Sequence, residues 1–323
     1  MNLLSEIAVV GTGAWGTALA AVIAGQGRNV VLVARDEARA LEISTSRRSP
    51  HLPGILLPQN LHITGGGVPV ADITLLCSPM QFLRATISRL PRHGTKLVMC
   101  CKGVERDTLR LSPEIADELV PDQPCAVLTG PNFAHEIAAN LPAAAVLAAR
   151  DPALRSYLIE QLATPRWRLY GSTDPVGAAL GGAAKNVIAI AAGAVIGFGL
   201  GENARAALIT RGLAEIARLA DALGGSAETV VGLAGLGDLI LTATGSASRN
   251  YRAGLALGRG EAIATDADGA VIEGVSTAPA LRARAAQLGC EMPITEAVAD
   301  LLAKQITIPE AMTRLLSRAV RDE

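Results

Sequence analysis

Two hydrophobic rhythms divide the chain. In its first half, short strand-like runs recur at residues 7–10, 30–33, 73–77, 96–101, 126–129, 143–149 and 166–170, with helical spacing between the early ones. Apolar strands alternating with helices predict a mainly parallel, doubly wound sheet. From about residue 174 the strand-like runs stop. Helical periodicity takes over at 174–198, 203–223, 226–233, 248–258, 276–288, 294–304 and 308–319. The stretch 45–67, with Pro50, Pro53, Gly54 and Pro58, reads as a loop. Arg47 and Arg48 within it read as phosphate contacts or, the blander reading, as a solvated basic pair.

The first apolar run enters Gly11-Thr12-Gly13-Ala14-Trp15-Gly16, then a helical stretch at 17–25 and the second run. Strand, G-x-G-x-x-G, helix and strand within about 30 residues form the frame that a dinucleotide-binding turn requires. Gly11, Gly13 and Gly16 permit the tight turn and let backbone approach a pyrophosphate, which the helix N-terminus attracts. The predicted fold is an α/β Rossmann-type N-terminal domain with a mostly parallel doubly wound sheet, residues 1–173, plus an all-α C-terminal domain, residues 174–323. The first polar residue after the second run is Arg35, followed by Asp36. A guanidinium suits a 2′-phosphate, which favours NADP(H) over NAD(H). Asp36 serves either a ribose hydroxyl or the cap of the next helix.

Ligands of such sheets sit at the carboxyl ends of the strands. That places Lys102 and Asn132 at the cofactor edge, since they follow the runs at 96–101 and 126–129. The bland readings are an exposed strand-end lysine and a helix cap.

The stretch 176–200, VGAALGGAAKNVIAIAAGAVIGFGL, holds one charge, Lys185, with Asn186 beside it. A helix apolar all round is normally buried. An ammonium there is either paired in the core or lines a cleft, where a lysine can do proton chemistry. Its uninterrupted apolar run is about 14 residues, short of the ~20 that span a bilayer. The turn Gly197-Phe198-Gly199-Leu200-Gly201 follows a helix rather than a strand, so it reads as a helix break.

Composition narrows the classes. With 29 basic and 30 acidic residues the net charge is −1, which argues against a general nucleic-acid binder. The N-terminus lacks a basic n-region and cleavage site, so a cytoplasmic protein is expected. The five cysteines show no C-x-x-C, and the four histidines (His51, His62, His93, His135) show no metal spacing. No metal is expected, and buried inert thiols are the better reading of the cysteines.

Two further clusters carry chemistry. Gly232-Leu233-Ala234-Gly235-Leu236-Gly237-Asp238 puts one carboxylate in an apolar, glycine-rich segment. Ser248-Arg249-Asn250 offers a hydroxyl, a guanidinium and an amide ahead of a helix, apt for a phosphate monoester, though also a common surface pattern.

The chain resembles bacterial NAD(P)-dependent glycerol-3-phosphate dehydrogenases. The stretches that carry the resemblance are GTGAWGTALA at 11–20, LPGILLPQNL at 52–61, CKGVE at 101–105, GPNFAHEIA at 130–138 and LGGAAKNVIAIAAG at 180–193. They continue in order with ENARAALITRGLAEI at 202–216, GLAGLGDLILT at 232–242, SRN at 248–250 and VIEGVST at 271–277. The resemblance implies reversible hydride transfer between NAD(P)H and dihydroxyacetone phosphate, giving sn-glycerol 3-phosphate for phospholipid synthesis. It implies Lys185 as proton acceptor and donor. Substrate contacts are implied at Lys102, Gly130, Asn132, Lys185, Asp238, Ser248, Arg249 and Asn250. Cofactor contacts are implied at Ala14, Trp15, Arg35, Lys102, Ala134, Arg249, Val271 and Glu273, beside the glycines. Position 132 is usually Ser or Thr in this motif and is Asn here, an amide that still donates and accepts. A homodimer is likewise implied.

Two other readings share parts of this pattern. A reductase of another ketone or hydroxyacid would use the same layout without the Ser-Arg-Asn grip. A sensor that binds NADPH without turnover would have no use for Lys102, Lys185 and Asp238.

Overall fold

The computed structural model describes residues 5–91, 94–263 and 272–318. The chain forms two compact units, one of residues 1–102 and 111–179, the other of residues 103–110 and 180–323. The sequence reading divided the chain at 173/174; the units divide a few residues later, and 103–110 goes with the second.

In the first unit the order is β1 (Ser5–Val10), α1 (Ala14–Ala24), β2 (Val30–Val33), α2 (Glu37–Ser46), β3 (His62–Thr64), β4 (Ala71–Leu76), α3 (Leu83–Ile87) and β5 (Lys96–Met99). It continues with α4 (Ser112–Leu119), β6 (Cys125–Thr129), α5 (Ala134–Ala138), β7 (Ala143–Ala148), α6 (Pro152–Leu162) and β8 (Trp167–Ser172). The eight strands form one sheet in the order β3-β2-β1-β4-β5-β6-β7-β8. Every pairing is parallel except β6 with β7. Strand order reverses between β1 and β4, which pair in register from Ile7↔Ile73 to Val10↔Leu76. Reversals of this kind open the ligand crevice of doubly wound sheets. The apolar runs are continuous rather than alternating because helices cover both faces; all four residues of β2 are buried.

β3 lies inside the stretch read as loop. Its three residues, His62–Thr64, are exposed or half-buried, so no apolar run announced them. The basic pair also needs correcting at Arg47. This residue ends α2 in the left-handed conformation, and its guanidinium donates to the carbonyls of Pro58 and Leu61. It pins the proline-rich loop instead of pointing into solvent.

The second unit is helical: the last part of α7 (Pro175–Gly197), then α8 (Gly201–Ala222), α9 (Ala227–Val230), α10 (Asp238–Ala243), α11 (Arg249–Gly258), α12 (Glu273–Gln287), α13 (Pro293–Leu302) and α14 (Ile308–Leu316). By its 23-residue length α7 is long enough to cross a bilayer, yet 94% of its apolar window is buried inside the protein. It is a core helix. Gly193 and Gly197 of α7 face Gly254 and Gly258 of α11. A Cβ on Gly254 would stand 2.0 Å from the Ile190 carbonyl oxygen, and one on Gly193 2.2 Å from that of Tyr251. The two backbones touch, and no side chain fits between them. The break between α7 and α8 uses Gly199 and Gly201, both at φ +86°.

Candidate active site

The glycine turn occupies the carboxyl end of β1. Gly11 takes φ +114°, a conformation that side chains rarely adopt, and a Cβ there would sit 3.1 Å from the Cys77 backbone. Gly16 is tighter: its Cβ would lie 2.1 Å from the Gly11 carbonyl oxygen. A Cβ on Gly13 meets nothing within 4 Å, so the outer side of the turn is open. Gly13 caps α1 with no side chain, leaving the first-turn N–H groups of Ala14, Trp15 and Gly16 without a side-chain acceptor. An open turn with a bare helix N-terminus suits a pyrophosphate.

Arg35 follows β2 with its side chain 90% exposed. Asp36 is the N-cap of α2 and accepts from the Arg39 N–H at 2.8 Å. That bond, with Arg35 beside it, holds the Asp36 carboxyl below the ordinary carboxylate range. Of the two roles open to it in the sequence, Asp36 performs the capping one.

Lys102 Nζ donates to the Gly130 carbonyl at 3.3 Å, joining the loops after β5 and β6. Gly130 takes φ +137° with its Cβ position 3.0 Å from Ala145 Cα. Asn132 is held at both ends of its amide: Oδ1 accepts from Trp167 Nε1 at 2.9 Å, and Nδ2 donates to the Ala144 carbonyl at 3.1 Å. It does not cap α5, whose cap residue is Phe133. Ala134 opens α5 and packs half-buried against the sheet core.

In the second unit Lys185 is paired. Its Nζ lies 2.5 Å from Asp238 Oδ1 and 2.6 Å from Thr242 Oγ1. Both charged side chains are buried, at 9% and 1% exposure. Asp238 and Thr242 are one helical turn apart on α10, so both face α7. The Thr242 hydroxyl donates to the Asp238 carbonyl at 2.6 Å, which turns its lone pairs towards the ammonium. A π-helical turn, Leu233–Gly237, leads into α10 and sets the phase at which Asp238 emerges. One turn before each partner, a Cβ on Gly181 would stand 2.8 Å from the Ala234 carbonyl. Small residues there let α7 and the π turn meet, and that contact brings Lys185 to Asp238.

The Ser-Arg-Asn cluster opens α11, within the stretch predicted as helix at 248–258. Ser248 is the buried N-cap of α11 and accepts from the Tyr251 N–H at 3.2 Å. Arg249 is the first residue of that helix and is exposed. Asn250 is buried, donates to Asn186 Oδ1 at 2.9 Å and accepts from the Gly274 N–H at 2.9 Å. It thereby satisfies an N–H in the first turn of α12, next to Glu273. Val271 and His93 lie outside the described residues.

The structure thus groups Lys102 with Gly130, Lys185 with Asp238, and Asn250 with Asn186 and Gly274. Sequence reasoning missed Thr242, although the i, i+4 spacing from Asp238 was a usable signal. It also missed Asn186 as the partner of Asn250. Among the described residues no three His, Cys, Asp or Glu side chains converge as a metal ion would need. The five cysteines are free thiols, of which Cys100 alone is fully buried, and burial pushes the Cys125 thiol up to about 12.

Residues 6–155 match the model of the NAD-dependent glycerol-3-phosphate dehydrogenase N-terminus, and residues 174–313 that of its C-terminus. A glycerol-3-phosphate dehydrogenase [NAD(P)+] of Acidiphilium cryptum is 66% identical over 323 residues, covering 100% of both chains. That of Gluconobacter oxydans is 49% identical, covering 98% of each. The crystal structure of glycerol-3-phosphate dehydrogenase from Coxiella burnetii superposes with a TM-score of 0.91 at 37% identity, covering 98% of this chain and 99% of that one. With both family models matched in order along nearly its whole length, the chain belongs to the NAD-dependent glycerol-3-phosphate dehydrogenase family.

Proposed function

We propose that this protein interconverts dihydroxyacetone phosphate and sn-glycerol 3-phosphate with NAD(P)(H), and that Lys185 carries the proton. The reduced nicotinamide supplies the hydride when bound. The carbonyl oxygen that receives no hydride still needs a proton, and its developing alkoxide needs a nearby cation. Lys185 offers both. Asp238 and Thr242 each accept one of its N–H groups, so the ammonium is aimed before substrate arrives. Preset donors of this kind need no reorganisation in the transition state.

The remaining roles follow the same reading. The Gly11–Gly16 turn and the α1 N-terminus receive the pyrophosphate, with Ala14 and Trp15 against the cofactor. Arg35 meets a 2′-phosphate, which favours NADP(H). Arg249, exposed at the start of α11, grips the substrate phosphate and converts remote binding energy into carbonyl positioning. Ser248 and Asn250 hold that helix start in place. On family resemblance, the enzyme is a cytoplasmic homodimer that supplies sn-glycerol 3-phosphate to phospholipid synthesis.

The observation that carries this reading is the buried Lys185–Asp238–Thr242 cluster in a chain of this family. The test follows NADPH absorbance with dihydroxyacetone phosphate for wild type and Arg249→Ala. Wild type should oxidise NADPH, and the variant should lose about 100-fold in kcat/KM on the phosphorylated ketone while dihydroxyacetone itself changes little. Equal losses on both substrates would remove Arg249 from the phosphate role. An inactive wild type would overturn the substrate.

A further inference from the structure

Asn132, Trp167 and Trp15 form a line of contacts that ends in the glycine turn. The amide of Asn132 is used twice, accepting from Trp167 Nε1 and donating to the Ala144 carbonyl on β7. Trp167 opens β8 and is 1% exposed. Its ring meets that of Trp15 edge to face, with centroids 6.2 Å apart and planes at 84°. Such pairs are favourable beyond the area they bury, and their geometry is directional. Trp15 lies inside G-x-G-x-x-G, in the first turn of α1. Its own indole N–H is buried and has no acceptor among the described residues. No hydrogen bond therefore fixes the Trp15 ring, and its packing must.

We propose that Asn132 is a positioning residue for the dinucleotide turn. By holding Trp167 it fixes Trp15, and with it the backbone that receives the pyrophosphate. Asn132 then governs affinity for the dinucleotide, in contrast to the substrate contact implied by family resemblance. The side-chain chemistry supports this. Trp167 demands an acceptor and Ala144 a donor, and an amide supplies one of each on separate atoms. A Ser hydroxyl has one oxygen on a shorter stem, and an Asp carboxylate has no donor for Ala144. The inference rests on the reading that this turn binds NAD(P)(H).

The chain has two tryptophans, and both belong to this line, so tryptophan emission reports on it directly. The experiment titrates NADPH into the full chain, following tryptophan emission, for wild type, Asn132→Ser, Trp167→Phe and the double variant. Trp167→Phe keeps a ring but deletes the same hydrogen bond from the other side, so it carries the test even where Asn132→Ser folds poorly. Each single variant should weaken NADPH binding about fivefold, and the double variant no further. Emission of Asn132→Ser should shift to the red as Trp167 loosens. The KM for dihydroxyacetone phosphate, at saturating NADPH, should move by less than about twofold. Unchanged NADPH affinity and emission with a raised substrate KM would make Asn132 a substrate contact and overturn the proposal. A wild type that binds NADPH without turning over the substrate would defeat the functional reading and leave this one standing.

Discussion

Lys185 Nζ and Asp238 Oδ1 lie 2.5 Å apart across 53 positions of sequence, buried together in a helical unit. Each sits one turn beyond the contact of Gly181 with Ala234, so helix packing fixes the pair. Breaking a buried pair from one side leaves an uncompensated charge, costing about 3–5 kcal/mol. Chemistry and stability are therefore entangled at this site, and variants need to separate them.

Thr242→Val makes that separation. It keeps shape and both charges but removes the hydroxyl that accepts from Lys185 at 2.6 Å. We expect kcat to fall about 10- to 100-fold with substrate KM nearly unchanged, since the ammonium loses aim and not charge. Steady-state kinetics at saturating NADPH checks this; a raised KM with intact kcat would assign Thr242 to substrate binding.

Much of this was legible in the chain, and the exceptions are instructive. The glycine frame and continuous apolar runs carried the parallel sheet because both are local signals. The 23-residue α7 showed through an apolar composition interrupted only by Lys185 and Asn186. The π turn at 233–237 was hidden, since GLAGLG reads equally well as loop or helix. Ser248-Arg249-Asn250 reads as a phosphate grip or as a common surface pattern, and the burial of Asn250 was hidden because its partners, Asn186 and Gly274, are distant in sequence. Arg47 was misread for the same reason. Its carbonyl acceptors on Pro58 and Leu61 carry no side-chain signature.

Two glycine substitutions should behave oppositely. In Gly254→Ala the new methyl would meet the Ile190 carbonyl at 2.0 Å, forcing α7 and α11 apart. A loss of about 2–3 kcal/mol in denaturant unfolding is expected. In Gly13→Ala the methyl meets nothing within 4 Å of the protein, but it enters the open side of the turn. Stability should hold while NADPH affinity falls about tenfold or more, read by titration and melting in parallel. A Gly254→Ala protein as stable as wild type would contradict the close helix contact.

Glu215 should give stability a pH dependence of its own. Its buried carboxylate accepts from the N–H groups of Ile294 and Thr295 at the start of α13, and burial pushes its pKa up to about 7 from 4.5. Because the folded value exceeds the unfolded one, its contribution is complete below pH 4.5 and is lost as pH rises through about 7. The span is worth about 3 kcal/mol at most. Glu215→Gln should remove this slope, so its unfolding free energy should fall less than that of wild type between pH 5 and 8. Parallel slopes would place the titration elsewhere.

Arg35 should set cofactor choice. Its guanidinium is exposed beyond β2, and Asp36 is engaged in capping α2. Arg35→Ser should lower kcat/KM for NADPH about tenfold and leave NADH within about twofold. An equal loss with both cofactors would remove the 2′-phosphate contact.

Proton transfer by Lys185 is the step on which the proposed mechanism turns. The most direct measurement is the turnover of Lys185→Ala at saturating NADPH and dihydroxyacetone phosphate, with and without added primary alkylamines, in protein shown by circular dichroism to be folded. The account predicts a loss of at least about 1,000-fold, with partial rescue by amines that varies with their pKa. A folded variant turning over within a few-fold of wild type, or one whose rate ignores every amine, would contradict it.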